Sequence, residues 1–137
     1  MAGNILILFD IDNTLVKDGG FTSLANLFLK YKLPNNLIPI RLMNRIKKKA
    51  TIGIWNQGFK KAQIMKLKTA KIFNYIDPDQ IWISHQKMRL LNKINNQDFK
   101  KIYIVDDKQR QSKYPKISFI KAPLKESSLL KLVDLSR

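Results

Sequence analysis

The sequence predicts a doubly wound α/β fold, a three-layer α/β/α arrangement around a mostly parallel five-stranded sheet with a small helical insertion after the first strand. Two observations predict the layers. Five short apolar runs rich in β-branched residues recur along the chain, and helical patterns separate them. The runs are continuous instead of alternating, which marks strands buried on both faces, as in a parallel sheet. A third observation predicts the insertion: the gap between the first and second runs is too long for one crossover helix.

The first run is Asn4–Phe9, which ends at Asp10. The segment 17–50 follows, with two helical patterns, Phe21–Tyr31 and Asn36–Lys49, separated at Pro34. It leaves the carboxyl end of the first strand, where open α/β sheets bind ligands, and so reads as a cap. The second run is Thr51–Trp55, ending at Asn56, and Gly58–Phe73 reads as an amphipathic helix. Gln80–Ile83 is the third run, followed by a helix over Gln86–Ile94. Lys101–Val105 is the fourth, ending at Asp106, and Lys116–Ile120 the fifth, with a closing helix over Leu124–Leu135. With no internal repeat and no low-complexity linker, 1–137 reads as one domain with 17–50 as its insertion.

Composition narrows the chemistry. A chain that is 45% hydrophobic and 26% charged is globular, not disordered. There is no cysteine, which excludes disulfides, thiolate nucleophiles and sulfur-ligated metals, and a single histidine, His85, which excludes a histidine-built metal cluster. His85 itself reads as a loop residue. The longest early apolar run, Ile5–Phe9, is too short for a membrane span and lacks the flanks of a signal peptide, so a cytoplasmic location and no membrane partner are expected.

Charge is lopsided, with 26 basic against 10 acidic residues and a net +16. One reading is a polyanionic partner such as nucleic acid. The other is compositional bias, since 21 of the 26 are lysine and arginine is the better phosphate reader. The helix over Asn36–Lys49 bears on the choice: Ile38, Leu42 and Ile46 form an apolar stripe, with Arg41, Arg45, Lys47, Lys48 and Lys49 beside it. That basic face is either a partner-binding surface on the insertion or a solvated face complementing the helix dipole.

The acids are where the sequence is most specific. Asp10 and Asp12 stand two apart at the end of the first strand, on one face if the strand continues. Two such carboxylates repel each other unless a cation or a proton intervenes, and a hard, oxygen-loving ion such as Mg²⁺ suits them. The pair can also divide labour, one ionised as a nucleophile and one protonated as an acid. A second pair, Asp106 and Asp107, ends the fourth strand, so four of the chain's ten acids are expected at one edge of the sheet.

These motifs resemble those of the haloacid dehalogenase superfamily. ILILFDIDNTLV is similar to the family's first signature in its phosphatase form, D-x-D-x-T-L. IYIVDDK resembles its acidic fourth motif, and Lys87, just after the third strand, stands where the third-motif lysine is expected. IGIWNQGFKKAQIMKL resembles the second-motif region, with Gly58, Gln63, Lys66 and Leu67 at the family's spacing. Two positions depart: Asn56 stands where a phosphate-holding Ser or Thr is usual, and Phe59 where Asp is common.

The resemblance implies a mechanism. Asp10 would be the nucleophile that forms an aspartyl-phosphate, and Asp12 the acid/base. Mg²⁺ would be held by Asp10, the Asp12 backbone carbonyl, and Asp106 or Asp107. Thr14, Asn56, Gln57 and Lys87 would order the loop and bind phosphate, an Asn amide being able to donate where a hydroxyl usually does. Lys108 reads as a surface charge. Three functions follow: a phosphomonoesterase, a nucleic-acid end phosphatase using the basic face, or a catalytically weak binding protein marked by Asn56.

Overall fold

A computed structural model of the chain describes residues 4–12, 14–15, 38–123 and 125–134. The predicted Phe21–Tyr31 helix and most of the insertion lie outside the described residues. Five strands form one sheet: β1 (Ile5–Phe9), β2 (Thr51–Gln57), β3 (Ile81–Ser84), β4 (Lys101–Asp106) and β5 (Ile117–Lys121). All pair in parallel, in the order β3-β2-β1-β4-β5. The described residues form four α-helices, α1 (Ile40–Lys47), α2 (Lys60–Thr69), α3 (Leu91–Asn95) and α4 (Glu126–Asp134). None of them is long and apolar enough to cross a membrane.

β1 is the centre of the sheet, and its continuous apolar run follows from that place. Every side chain from Ile5 to Phe9 is buried. Ile5, Ile7 and Phe9 point into one core, where Leu42, Met43 and Ile46 of α1, Leu67 of α2, and Leu129 and Val133 of α4 meet them. Leu6 and Leu8 point into the other, with Trp55, Leu91, Ile94, Ile102 and Ile104. Covering one such side chain is worth roughly 1.5–3 kcal/mol, so a strand without a polar residue is stable only with helices on both faces. The stripe of Ile38, Leu42 and Ile46 is buried against this sheet.

Two predicted helices are shorter than the pattern suggested. The Gly58–Phe73 pattern becomes α2 plus a 3₁₀ turn at Phe73–Tyr75. Gln86–Ile94 begins as a 3₁₀ turn, Lys87–Leu90, before α3. There the Trp55 indole N–H takes the Lys87 carbonyl at 2.8 Å, an acceptor that an α-helical first turn would otherwise use. β2 extends past the predicted Trp55 to Gln57. At Gly53 of that strand a Cβ would stand 2.4 Å from the Gln80 carbonyl, so only glycine lets the 3₁₀ turn Pro78–Gln80 cross so closely.

The chain leaves β1 for β2 on one side and returns from β3 to β4 on the other. This reversal opens a crevice at the carboxyl edge, beside β1. α1 runs back toward β2, so Lys47, Lys48 and Lys49 sit at the opposite edge, just before Thr51. Arg41, at the start of α1, donates through both terminal nitrogens to Glu126 of α4 at 2.9 and 3.0 Å. Arg45 reaches the same carboxylate at 4.0 Å.

Candidate active site

Asp10 is the first residue after β1, and its N–H still bonds the Val105 carbonyl at 2.9 Å, which holds it in register with β4. The chain then turns, with the N–H groups of Thr14 and Leu15 donating to the Ile11 carbonyl at 3.3 and 3.0 Å. The turn separates the two carboxylates that a continued strand would put side by side. Asp10 is buried in the crevice; Asp12 stands on its rim, half-buried, where Lys66 of α2 bonds Oδ1 at 2.8 Å.

Lys87 joins the ends of β1 and β4. Its Nζ lies 2.8 Å from Asp106 Oδ2 and 3.3 Å from Asp10 Oδ1. It also stands 4.3 Å above the centre of the buried Trp55 ring, a position that favours a desolvated ammonium. Asp106 has further donors: Arg110 Nε at 3.2 Å on Oδ2 and the Lys108 N–H at 2.9 Å on Oδ1. Arg110 lies over the same indole at 5.4 Å.

These contacts set the two buried carboxyls apart. Burial pushes Asp10 up to about 7; Lys87 opposes the rise, and the neighbouring Asp106 and Asp107 add to it. Burial acts on Asp106 too, but the hydrogen bonds from Lys87 and the Lys108 N–H, with the Lys87 charge, outweigh it and hold that carboxyl below its usual range. Oxygens of Asp10, Asp106 and Asp107 lie within 4.8 Å of one another. An all-carboxylate set at that spacing fits a hard divalent cation, which would relieve the repulsion among the three.

Asp10, Asp12, Asn56, Gln57, Lys87, Asp106 and Asp107 together line a cleft of about 370 Å³, completed by Lys108 and Arg110. The side chain of Asp12 is outside the acidic cluster, so of the four expected metal-site acids three offer carboxylates to one point. Asn56 is buried at the end of β2; its Oδ1 accepts from Ile11 N–H at 3.4 Å and its amide donates to the Gln57 carbonyl at 3.2 Å. It therefore ties the β1 loop to β2 and keeps one amide hydrogen for the cleft. Thr14 is buried and its Oγ1 has no hydrogen-bond partner among the described residues, so the expected loop-ordering bond is not made there. The Lys108 side chain is exposed, as expected of a surface charge, while its backbone N–H holds Asp106. His85 is exposed in the turn after β3, edge-on to Phe59 with ring centres 4.7 Å apart.

Sequence reasoning did not give Arg110 or Trp55 a place, and gave Lys66 a spacing without a partner. Arg110 is four residues past Asp106, and Trp55 is the one aromatic in β2, which are the available hints.

No protein-family model matches the chain, and no curated protein matches it. Its structure is similar to a crystal structure from Burkholderia xenovorans LB400, provisionally assigned as a haloacid dehalogenase-like hydrolase. The TM-score is 0.62 over 86% of this chain and 81% of that one, at 13% identity. The fold is haloacid dehalogenase-like. In that HAD-like frame Asp10 follows the central strand, with Lys87 from the connection after β3 and Asp106 and Asp107 from the end of β4 beside it.

Proposed function

We propose that the chain is a Mg²⁺-dependent phosphoric monoester hydrolase that works through an aspartyl-phosphate on Asp10. The observation that carries the reading is the carboxylate of Asp10 itself. It is buried at a strand end, bonded by one ammonium at 3.3 Å, and flanked by two further carboxylates at metal-binding spacing. A bound cation would supply charge neutralisation for the phosphate oxygens and the nucleophile. Asp10 and Asp107 are the better-placed ligands, because both oxygens of Asp106 already accept hydrogen bonds.

The side chains then divide the work. Asp10 Oδ attacks phosphorus. The bond to the leaving oxygen breaks with its electron pair on that oxygen, which takes a proton from Asp12. Water, deprotonated by Asp12, attacks the acyl phosphate and returns the Asp10 carboxylate. Lys87 and the free Asn56 amide hydrogen bind phosphate oxygens in a preorganised cradle. The assay is hydrolysis of 4-nitrophenyl phosphate with and without Mg²⁺. The expected result is turnover that needs the ion and is abolished in Asp10→Asn; turnover surviving that substitution, or none on any phosphoester, sinks the reading.

A nucleic-acid end as the phosphate carrier is a second reading, favoured by the net charge of +16. With Arg41 engaged by Glu126 and Lys47–Lys49 at the edge opposite the cleft, the reading leans on charge at long range. A 5′-phosphorylated oligonucleotide should then bind with affinity falling steeply as salt rises. Salt-independent or undetectable binding removes this reading and leaves the first intact.

A further inference from the structure

Lys66 meets a cleft carboxylate, that of Asp12, without itself lining the cleft. Its Nζ bonds Asp12 Oδ1 at 2.8 Å, with the lysine side chain 14% and the aspartate side chain 30% exposed. A partly exposed aspartate has two free rotors, and an ordered ammonium on one oxygen removes that freedom while leaving the second oxygen unbonded by the lysine. The lysine itself is held in place. Its neighbour Leu67 is fully buried in the core under the sheet, and Gln63, one turn earlier, is buried against Gly58. A Cβ on Gly58 would come within 2.9 Å of Gln63 Nε2, and Gly58 takes φ +134, so the turn and the helix are fitted to each other. The chain of support runs from the end of β2 through α2 to the carboxylate.

We infer that Lys66 is a positioning residue that aims the Asp12 carboxyl at the leaving oxygen, an inference that rests on the phosphatase reading. In the first step the Asp10 oxygen–phosphorus bond forms and the phosphorus–leaving-oxygen bond breaks. The electron pair stays with the departing oxygen, and the Asp12 proton moves onto it. How much this transfer matters depends on the leaving group. An alkoxide needs the proton; a 4-nitrophenolate departs without it. Lys66 therefore governs which esters are cleaved, while touching none of them.

The experiment compares kcat/KM for 4-nitrophenyl phosphate and a simple alkyl phosphate in the wild type, Lys66→Met, Lys66→Arg and Asp12→Asn. Lys66→Met should lose about 10- to 100-fold on the alkyl ester, part of the full effect of a general acid, and no more than about threefold on the nitrophenyl ester. Lys66→Arg should recover most of the loss. Adding Lys66→Met to Asp12→Asn should cost nothing further, because the pair acts as a unit. Equal losses on both esters, no loss on either, or full additivity with Asp12→Asn overturn the inference while the phosphatase reading stands. A wild type without Asp10-dependent hydrolysis overturns both. If Lys66→Met fails to fold, Lys66→Gln carries the same comparison.

Discussion

Asp10 and Asp106 end neighbouring strands, both are almost wholly out of solvent, and both touch the same ammonium, yet their carboxyls move in opposite directions. Asp10 has Lys87 alone as a hydrogen-bond donor among the described residues, at 3.3 Å, and rises to about 7. Asp106 is the more deeply buried, but Lys87, Arg110 and the Lys108 N–H all donate to it, and it falls below its usual range. Burial sets the size of the penalty on the charge; the number of donors decides its sign. The difference also separates roles. Asp106 is a fixed anion that holds a lysine and an arginine, whereas Asp10 keeps lone pairs free for chemistry, at a cost to the metal-free fold.

The largest effect should come from removing what the two share. Lys87→Met leaves both carboxylates without the ammonium, and kcat should fall by about 10²–10³ or more. Stability at pH 8 should fall on the order of 3–5 kcal/mol, the usual consequence of leaving buried charge unpaired. With the ammonium gone both folded-state carboxyls move up, so the shortfall should shrink toward pH 5 as they take protons. Urea unfolding at the two pH values checks this; a deficit independent of pH would mean that packing, not charge, was lost.

The next effect breaks the pair one member at a time, in metal-free protein. The folded Asp10 carboxyl, at about 7, lies above its unfolded 3.8, so its contribution to stability declines as pH rises through that window. Asp10→Asn should therefore raise the melting temperature at pH 8 by several degrees and change it little at pH 4. Asp106 is lowered, so its contribution is present above the unfolded pKa and lost as pH falls through the folded one. Asp106→Asn should cost about 1–3 kcal/mol at pH 8 and less in acid. Melting curves shifting in the same direction for both variants would dissolve the contrast.

Mg²⁺ should act on the Asp10 side of the comparison. Millimolar ion should raise the melting temperature by mass action, with proton release near pH 6 as Asp10 ionises. Titration calorimetry in two buffers of different ionisation enthalpy reads the protons, and Asp107→Asn should weaken the binding. The smallest effect is on the Asp106 side. Arg110, with a side chain 21% exposed, should cost only about 0.5–1 kcal/mol when replaced by alanine. Asp106 should stay ionised on its remaining donors, which carboxyl carbon chemical shifts would report.

Much of this arrangement is legible in the amino-acid sequence. Continuous apolar runs gave all five strands, because a parallel sheet covered on both faces has no polar side to confuse the pattern. Asp10, Asp106 and Asp107 were readable because each stands where such a run stops. Lys87 needed the family resemblance, being one of 21 lysines. Long-range pairings were not readable. Lys66 meets Asp12 across 54 positions, and nothing in local spacing says that α2 turns this residue toward that loop. The separation of Asp10 from Asp12 was missed because the strand ends at Phe9, where a period of two no longer applies. Trp55 was hidden as a core residue, since a ring that carries two cations on its face looks like any buried aromatic in a sequence.

The central position of β1 has a consequence in time. Its partners come late: Thr51 of β2 pairs with Leu6, and Lys101 of β4 with Ile5. At a synthesis rate of about 5–20 residues per second, the strand that leads into Asp10 waits roughly 5–20 seconds after leaving the ribosome before its second neighbour exists. For that interval ILILF is a bare, uncharged, strand-forming segment of the kind that seeks any edge. The segment that the finished fold protects best is thus the nascent chain's most exposed liability, and a natural place for a chaperone to hold it.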